Sequence, residues 1–266
     1  MNRKNLSSYI YNFNNRPSKA LIELLDRLQI PHDHSWTQIL AHTQKKWLRK
    51  KERWLVNELY KHQKKIIFEA MKHLGCIEAI HPQKTEYDYI LLLGCPYQKF
   101  LIRLGYLEKI LKRITYKQIF ILSGHRPLDA QIEMPLFESK YAFQAKHESE
   151  MINTVLKEKS FKKYAHFHLS LPMIDTITEI RRPNTEDTVK AWNLLKLPHK
   201  RCLIISNQPY VGYQDSVVRT YLEPDYDIET VGDRIYQEPN SAVFLDNLTR
   251  WIYQENQRCK LTASAD

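Results

Sequence analysis

Apolar positions fall into two regimes along the chain. Between residues 18 and 80 they recur at helical spacing. Leu21, Leu24, Leu25 and Leu28 share one face of a helix that Pro31 closes. A second, longer segment runs from Trp36 to Leu74, where Trp47 and Trp54, Leu48 and Leu55, Leu59, Ile66 and Ile67 continue an apolar stripe between basic faces. Gly75 is its expected stop, and His81-Pro82-Gln83-Lys84 reads as a linker. From Tyr87 onward the pattern alternates. Short apolar runs near 87–93, 118–122, 164–169, 202–206 and 226–231 have the length of buried strands, and helical stretches near 99–113, 146–158, 186–196 and 213–222 separate them. Five strands with helical crossovers predict an α/β, Rossmann-like, doubly wound parallel sheet carrying an N-terminal helical extension. The expected organisation is an extension over 1–84, a Rossmann-like domain over 85–258 and a tail over 259–266. A final helix from Ser241 to Gln254 carries Val243, Phe244, Leu248, Trp251 and Ile252 at core-facing spacing, which predicts packing on the sheet.

Three of the strand runs break into polar loops: Gly94-Cys95-Pro96, Ser123-Gly124-His125 and Ser206-Asn207-Gln208-Pro209. Ligands of open parallel sheets bind outside the carboxyl ends of the strands, so these junctions predict a binding rim. Gly94, Ser123 and Gly124 are its expected cradle for polar or phosphate groups, with Asn207 beside them. The connection from Arg126 to Ala145 exceeds an ordinary βα loop and reads as a lid over the rim. In Arg181-Arg182-Pro183-Asn184-Thr185-Glu186-Asp187-Thr188, Asn184 or Thr185 caps the next helix and the two acids suit its first turn. A ligand role for Asn184 and Thr185 stays open beside the cap, while the acids direct any phosphate to the glycine loops.

Composition narrows the chemistry. The formal net charge is +10 with a pI near 9.3, which favours anionic partners of no specified kind. Four separated cysteines, with no CxxC pair, suggest neither a zinc knuckle nor a disulfide framework and fit a reducing compartment. Residues 1–19 lack an apolar signal core, and no apolar stretch is long enough to span a bilayer; the expectation is a cytoplasmic protein. His166 and His168 alternate on a strand run without a third ligand, so no metal is expected. Ser123 and His125 are two apart and the G-x-S-x-G elbow is missing, which argues against a serine hydrolase. His147, Glu148 and Glu150 open a predicted helix; His147 and Glu150 are the acid/base candidates, against the plain reading of acids as helix starters. Cys95 is either a thiol at the rim or a small buried residue.

The order of Leu-Leu-Leu-Gly94, Ile-Leu-Ser123-Gly124, Glu148-Ser149-Glu150-Met151, Asn184-Thr185-Glu186 and Ile-Ile-Ser206 followed by Arg219 resembles the YdcF/SanA-like proteins of bacteria over about residues 86–222. That resemblance implies a Rossmann-like sheet with a pocket at the strand ends, binding a nucleotide or S-adenosylmethionine-type cofactor, with Gly94, Ser123, Gly124, Asn184, Thr185 and Arg219 at matching positions. Two positions depart from it. His147 stands where the family places a glutamate four residues before the methionine, and the histidine that follows the fourth strand is absent. The expected function is binding of a small anionic or nucleotide-type ligand, with group transfer as the reaction and Arg219 as counter-charge. The alternative is a non-catalytic binding protein whose basic residues 45–65 contact nucleic acid, acidic membrane or a protein partner.

Overall fold

In the computed structural model the described residues are 6–12, 14–49, 60–141, 144–158, 173–176, 181, 183–198, 200–222, 224–237 and 240–263. They form two compact units. The first gathers Met1–Ala79, Gln208–Ser216 and Arg234–Asp266, and the second Ile80–Asn207 with Val217–Asp233, so the boundary falls inside a helix.

The second unit holds an all-parallel sheet. Its long strands are β1 (Glu86–Leu93), β2 (Thr115–Gly124), β4 (Arg201–Asn207) and β5 (Asp227–Asp233), with a short edge strand β3 (Met173–Thr176); the order is β3-β2-β1-β4-β5. Helices α4 (Tyr97–Ile110), α5 (Glu133–Glu138), α6 (Glu148–Glu158), α7 (Thr185–Asn193) and α8 (Val211–Leu222) fill the connections. Side chains alternate across the sheet. Ile90, Leu92, Ile119, Ile121, Leu203 and Ile205 face Phe100, Leu104 and Leu107 of α4 and Met151, Ile152 and Val155 of α6. Leu91, Leu93, Phe120, Leu122, Cys202 and Ile204 face Val189 and Trp192 of α7 and Val218 and Leu222 of α8. Burial on both faces is why these strands read as continuous apolar runs rather than as an apolar/polar alternation. The fold is the expected α/β, Rossmann-like doubly wound sheet. The expected third strand, 164–169, lies outside the described residues; the described segment that pairs with β2 is Met173–Thr176.

In the first unit, α1 (Lys19–Arg27) starts on a Ser18 cap whose hydroxyl accepts the Leu21 N–H and buries Leu21, Leu24 and Leu25. The long helical segment expected from Trp36 is shorter. Helix α2 (Trp36–Trp47) stops where Leu48 turns extended, and Asp246 accepts the Arg49 N–H at 2.9 Å; α3 covers Lys64–His73. Gly75 does end α3: its φ of +68° is a left-handed stop, and a side chain there would meet the Tyr9 ring at 2.6 Å. Helix α9 (Ser241–Ala263) belongs with α2 and α3 to this unit, with Phe244 edge-on to Phe68, where the sequence predicted packing on the sheet. It also runs through most of the expected tail. Among the described residues no helix is long and apolar enough to cross a membrane.

Candidate functional site

The strand order places the topological switch point between β1 and β4, since the chain winds from β1 outward to β3 on one side and then to β5 on the other. Ligands of such sheets sit in the crevice at that point. Here the crevice is crossed by Arg103 of α4, which is 2% exposed. Its Nη1 donates to the carbonyls of Leu93 (2.8 Å) and Gly94 (3.0 Å), and its Nε donates to Asn207 Oδ1 at 2.8 Å. One guanidinium thus ties the carboxyl end of β1 to that of β4. On the other side of β1, the Gly94 N–H donates to the Leu122 carbonyl at 2.7 Å and continues the ladder into Ser123 and Gly124.

Between the two glycines lies the carboxyl group of Glu148, the first residue of α6. A Cβ on Gly94 would stand 2.3 Å from Glu148 Oε1, and the Gly124 N–H donates to the same oxygen at 3.4 Å. Arg126 Nε donates to Glu148 Oε2 at 3.0 Å, while its two terminal nitrogens grip both oxygens of Glu133 at 2.5 and 2.8 Å. Burial pushes the Glu148 carboxyl above the usual carboxylate range; Arg126, the Gly124 N–H and the charge of Arg103 act against that shift without overcoming it. Buried charges of this kind contribute little net stability and cluster at functional sites.

The connection over 126–145, expected as a lid, is tied at its two ends. Pro127 bridges His147, Leu128 N–H donates to the Lys146 carbonyl, and Glu148 N–H donates to the Arg126 carbonyl, so the loop closes on itself at its base. Within it α5 supplies Phe137, which packs with Tyr141 and with Tyr97 at the start of α4. That start carries neither a side-chain cap nor an acid in its first turn, but it does carry Lys99, whose ammonium burial pushes downward.

Gly94, Ser123, Gly124 and Asn207 therefore share one edge of the sheet. Ser123 is fully buried at the end of β2. Asn184 reaches the same edge by backbone, because a Cβ on Gly124 would meet Pro183 at 2.7 Å. Its side chain is committed: Asn184 Oδ1 accepts the Asp187 N–H, Asp187 accepts the Asn184 N–H in return, and Arg181 holds Asp187 at 2.6 and 2.8 Å. Thr185 is simply the first residue of α7. The acid/base candidates His147 and Glu150 stand at the start of α6. Glu150 turns back to accept the backbone N–H groups of Lys146 (2.7 Å) and His147 (3.3 Å), which hold its carboxyl below the usual range. His147 stacks on His125 at 3.8 Å. Neither sits where Glu148 does. Arg219, the expected counter-charge, donates to the Ile228 carbonyl at 2.7 Å, five residues down β5 from the rim-level Asp233, or about 17 Å away along the strand. Cys95 is buried with its thiol pushed up to about 12 by desolvation, the smaller of its two readings. His166 and His168 lie outside the described residues.

The groups that pattern alone did not single out are Arg103, Arg126 and Glu133. Arg103 sits inside an otherwise apolar helical stripe, and an arginine at a core position is the one signal that marks it. Searches of family models, of curated proteins and of solved structures found no match to this chain.

Proposed function

We propose that this chain binds a small anionic, nucleotide-type ligand at the carboxyl edge of β1, β2 and β4, and that Glu148 supplies the proton-carrying group for transfer chemistry on it. The observation that carries the reading is the buried Glu148 carboxyl set between Gly94 and Gly124 beside Arg126, at the edge where sheets of this topology take ligands. A carboxyl whose protonated form burial favours is suited to donate to a leaving oxygen and recover the proton afterwards. The resemblance to YdcF/SanA-like proteins supports the same residue, because Glu148 restores the family's glutamate with a shift of one position.

The donor set bears on ligand class. Arg103, Arg126 and Lys99 gather at the rim, and the acid-free start of α4 favours negative charge, whereas the Glu186 and Asp187 carboxylates exclude it from the start of α7. These groups fit a phosphate-bearing ligand better than the sulfonium of S-adenosylmethionine. A bound nucleotide would supply the transferable phosphoryl or glycosyl group; the chain's part is to hold the anion with Lys99 and the backbone of the Gly94 loop and to present the Glu148 carboxyl for proton transfer.

Thermal-shift titration with adenine and guanine nucleotides, inorganic phosphate and S-adenosylmethionine tests this. A nucleotide at a hundred times its dissociation constant adds about 2.7 kcal/mol of stability. Lys99→Glu is expected to weaken that binding, whereas Glu148→Gln keeps it and loses turnover. Absence of any nucleotide-induced shift, or binding indifferent to Lys99→Glu, overturns the reading.

A further inference from the structure

Residues 45–65 contain nine basic and two acidic side chains, a surplus of seven within a chain whose formal net charge is +10. The structure gathers the two described ends of this stretch. Trp47, the last residue of α2, is fully buried and donates its Nε1–H to Tyr60 Oη at 3.4 Å; Tyr60 directly precedes the 3₁₀ turn Lys61–Gln63 that leads into α3. Lys46 and Lys45 lie one and two residues before that contact on α2, and Lys61, Lys64 and Lys65 lie one to five residues after it; all five are exposed. Among the described residues, Lys45, Lys46, Lys64 and Lys65 form no ion pair, whereas Lys19 and Lys72 of the same unit pair with Glu23 and Glu69. Lys64 and Lys65 also occupy the first turn of a helix, where cations oppose the macrodipole. That placement is unfavourable for the helix alone and favourable once an anion covers it.

We infer that this lysine patch is a docking surface for the phosphate backbone of nucleic acid, read without regard to sequence. Charge complementarity is the driving contact, since each lysine that neutralises a phosphate releases condensed counterions. A lipid surface fits less well. Membrane-seated helices lay an apolar face into the bilayer, and here Ile39 and Trp47 of α2 and Ile67 and Met71 of α3 are buried within the protein. The burial of Trp47 also removes it from base stacking, so backbone charge, not base identity, is the recognised feature. The patch lies wholly in the helical unit and does not depend on the ligand reading of the sheet edge.

The test is fluorescence anisotropy of the full chain with a labelled 30-nucleotide single strand and the matching duplex between 50 and 200 mM salt, repeated with the Lys45→Gln, Lys46→Gln, Lys64→Gln, Lys65→Gln variant. The wild type is expected to bind both probes with log K falling linearly in log salt, and the variant to lose about 0.7–0.9 of slope per phosphate contact removed and to bind about tenfold or more weakly at 100 mM salt. Unchanged thermal melting and circular dichroism of the variant confirm that it folds; should it not, single Lys→Gln variants read the slope instead. Absence of salt-dependent binding, a slope unchanged by the substitutions, or tighter binding to phosphatidylglycerol vesicles than to either nucleic acid overturns the inference.

Discussion

Two glycines separate the effects of space from those of helix propensity. Gly94 has no room for a methyl group, with Glu148 Oε1 at 2.3 Å and the Leu122 carbonyl oxygen at 2.8 Å from the position its Cβ would take. The carboxylate cannot yield without leaving Arg126, and the carbonyl belongs to β2. Gly94→Ala is expected to cost about 1–3 kcal/mol in urea denaturation and to abolish ligand binding. Gly105, inside α4, has nothing within 4 Å of that position, and Gly105→Ala is expected to stabilise by roughly 0.5–1 kcal/mol through helix propensity. Glu148 itself carries a pH signature. Its folded-state carboxyl lies above the unfolded value, so the folded chain retains a proton that the unfolded chain has already released. Stability from this group is therefore full below the unfolded value and is lost as pH rises through the folded one. Glu148→Gln removes that dependence, so the stability of the variant relative to wild type should improve as pH rises above the unfolded carboxyl value in parallel denaturant series. A difference that does not vary with pH contradicts the burial of this carboxyl.

Arg126 connects residue to element. It belongs to the loop base, yet its guanidinium spans Glu148 at the start of α6 and Glu133 at the start of α5, and so fastens the loop over the sheet edge. Arg126→Ala leaves two buried carboxyl groups without their partner, a loss of about 3–5 kcal/mol by analogy with other broken buried pairs. Hydrogen exchange should quicken across 127–147 beyond what global destabilisation accounts for; uniform change would show that the loop is held by Phe137 and Tyr141 instead. At this scale the sequence was most readable where one local rule decides the outcome. The four long strands, the Gly75 stop and the Asn184 capping box follow from apolar runs, a left-handed position and an N-cap residue with an acid three places on. The end of α2 was not legible, because it is set by Asp246, about two hundred residues away in the chain. Nor was the choice among His147, Glu148 and Glu150. All three open one helix, and only the position of Gly94 on a different strand decides which of them enters the sheet edge.

For the molecule as a whole, the chain divides its labour between two units that interleave in sequence. Apolar periodicity made α9 legible as a packed helix but misled on its partner, the sheet, since a stripe of Phe244, Leu248, Trp251 and Ile252 fits a sheet or a helical core equally; it packs in the helical unit. Charge divides as well, with the surplus of residues 45–65 in the helical unit and the paired, buried charges at the sheet edge. The two proposed sites thus fall in different units of the chain, and a single experiment distinguishes them. Hydrogen-exchange mass spectrometry with and without a saturating mononucleotide tests the central claim most directly. The account predicts slowed exchange at 94–99 and 123–128 and around Asn207, with 45–49 and 60–65 unchanged. Protection confined to the lysine patch, or none at the sheet edge, would contradict it.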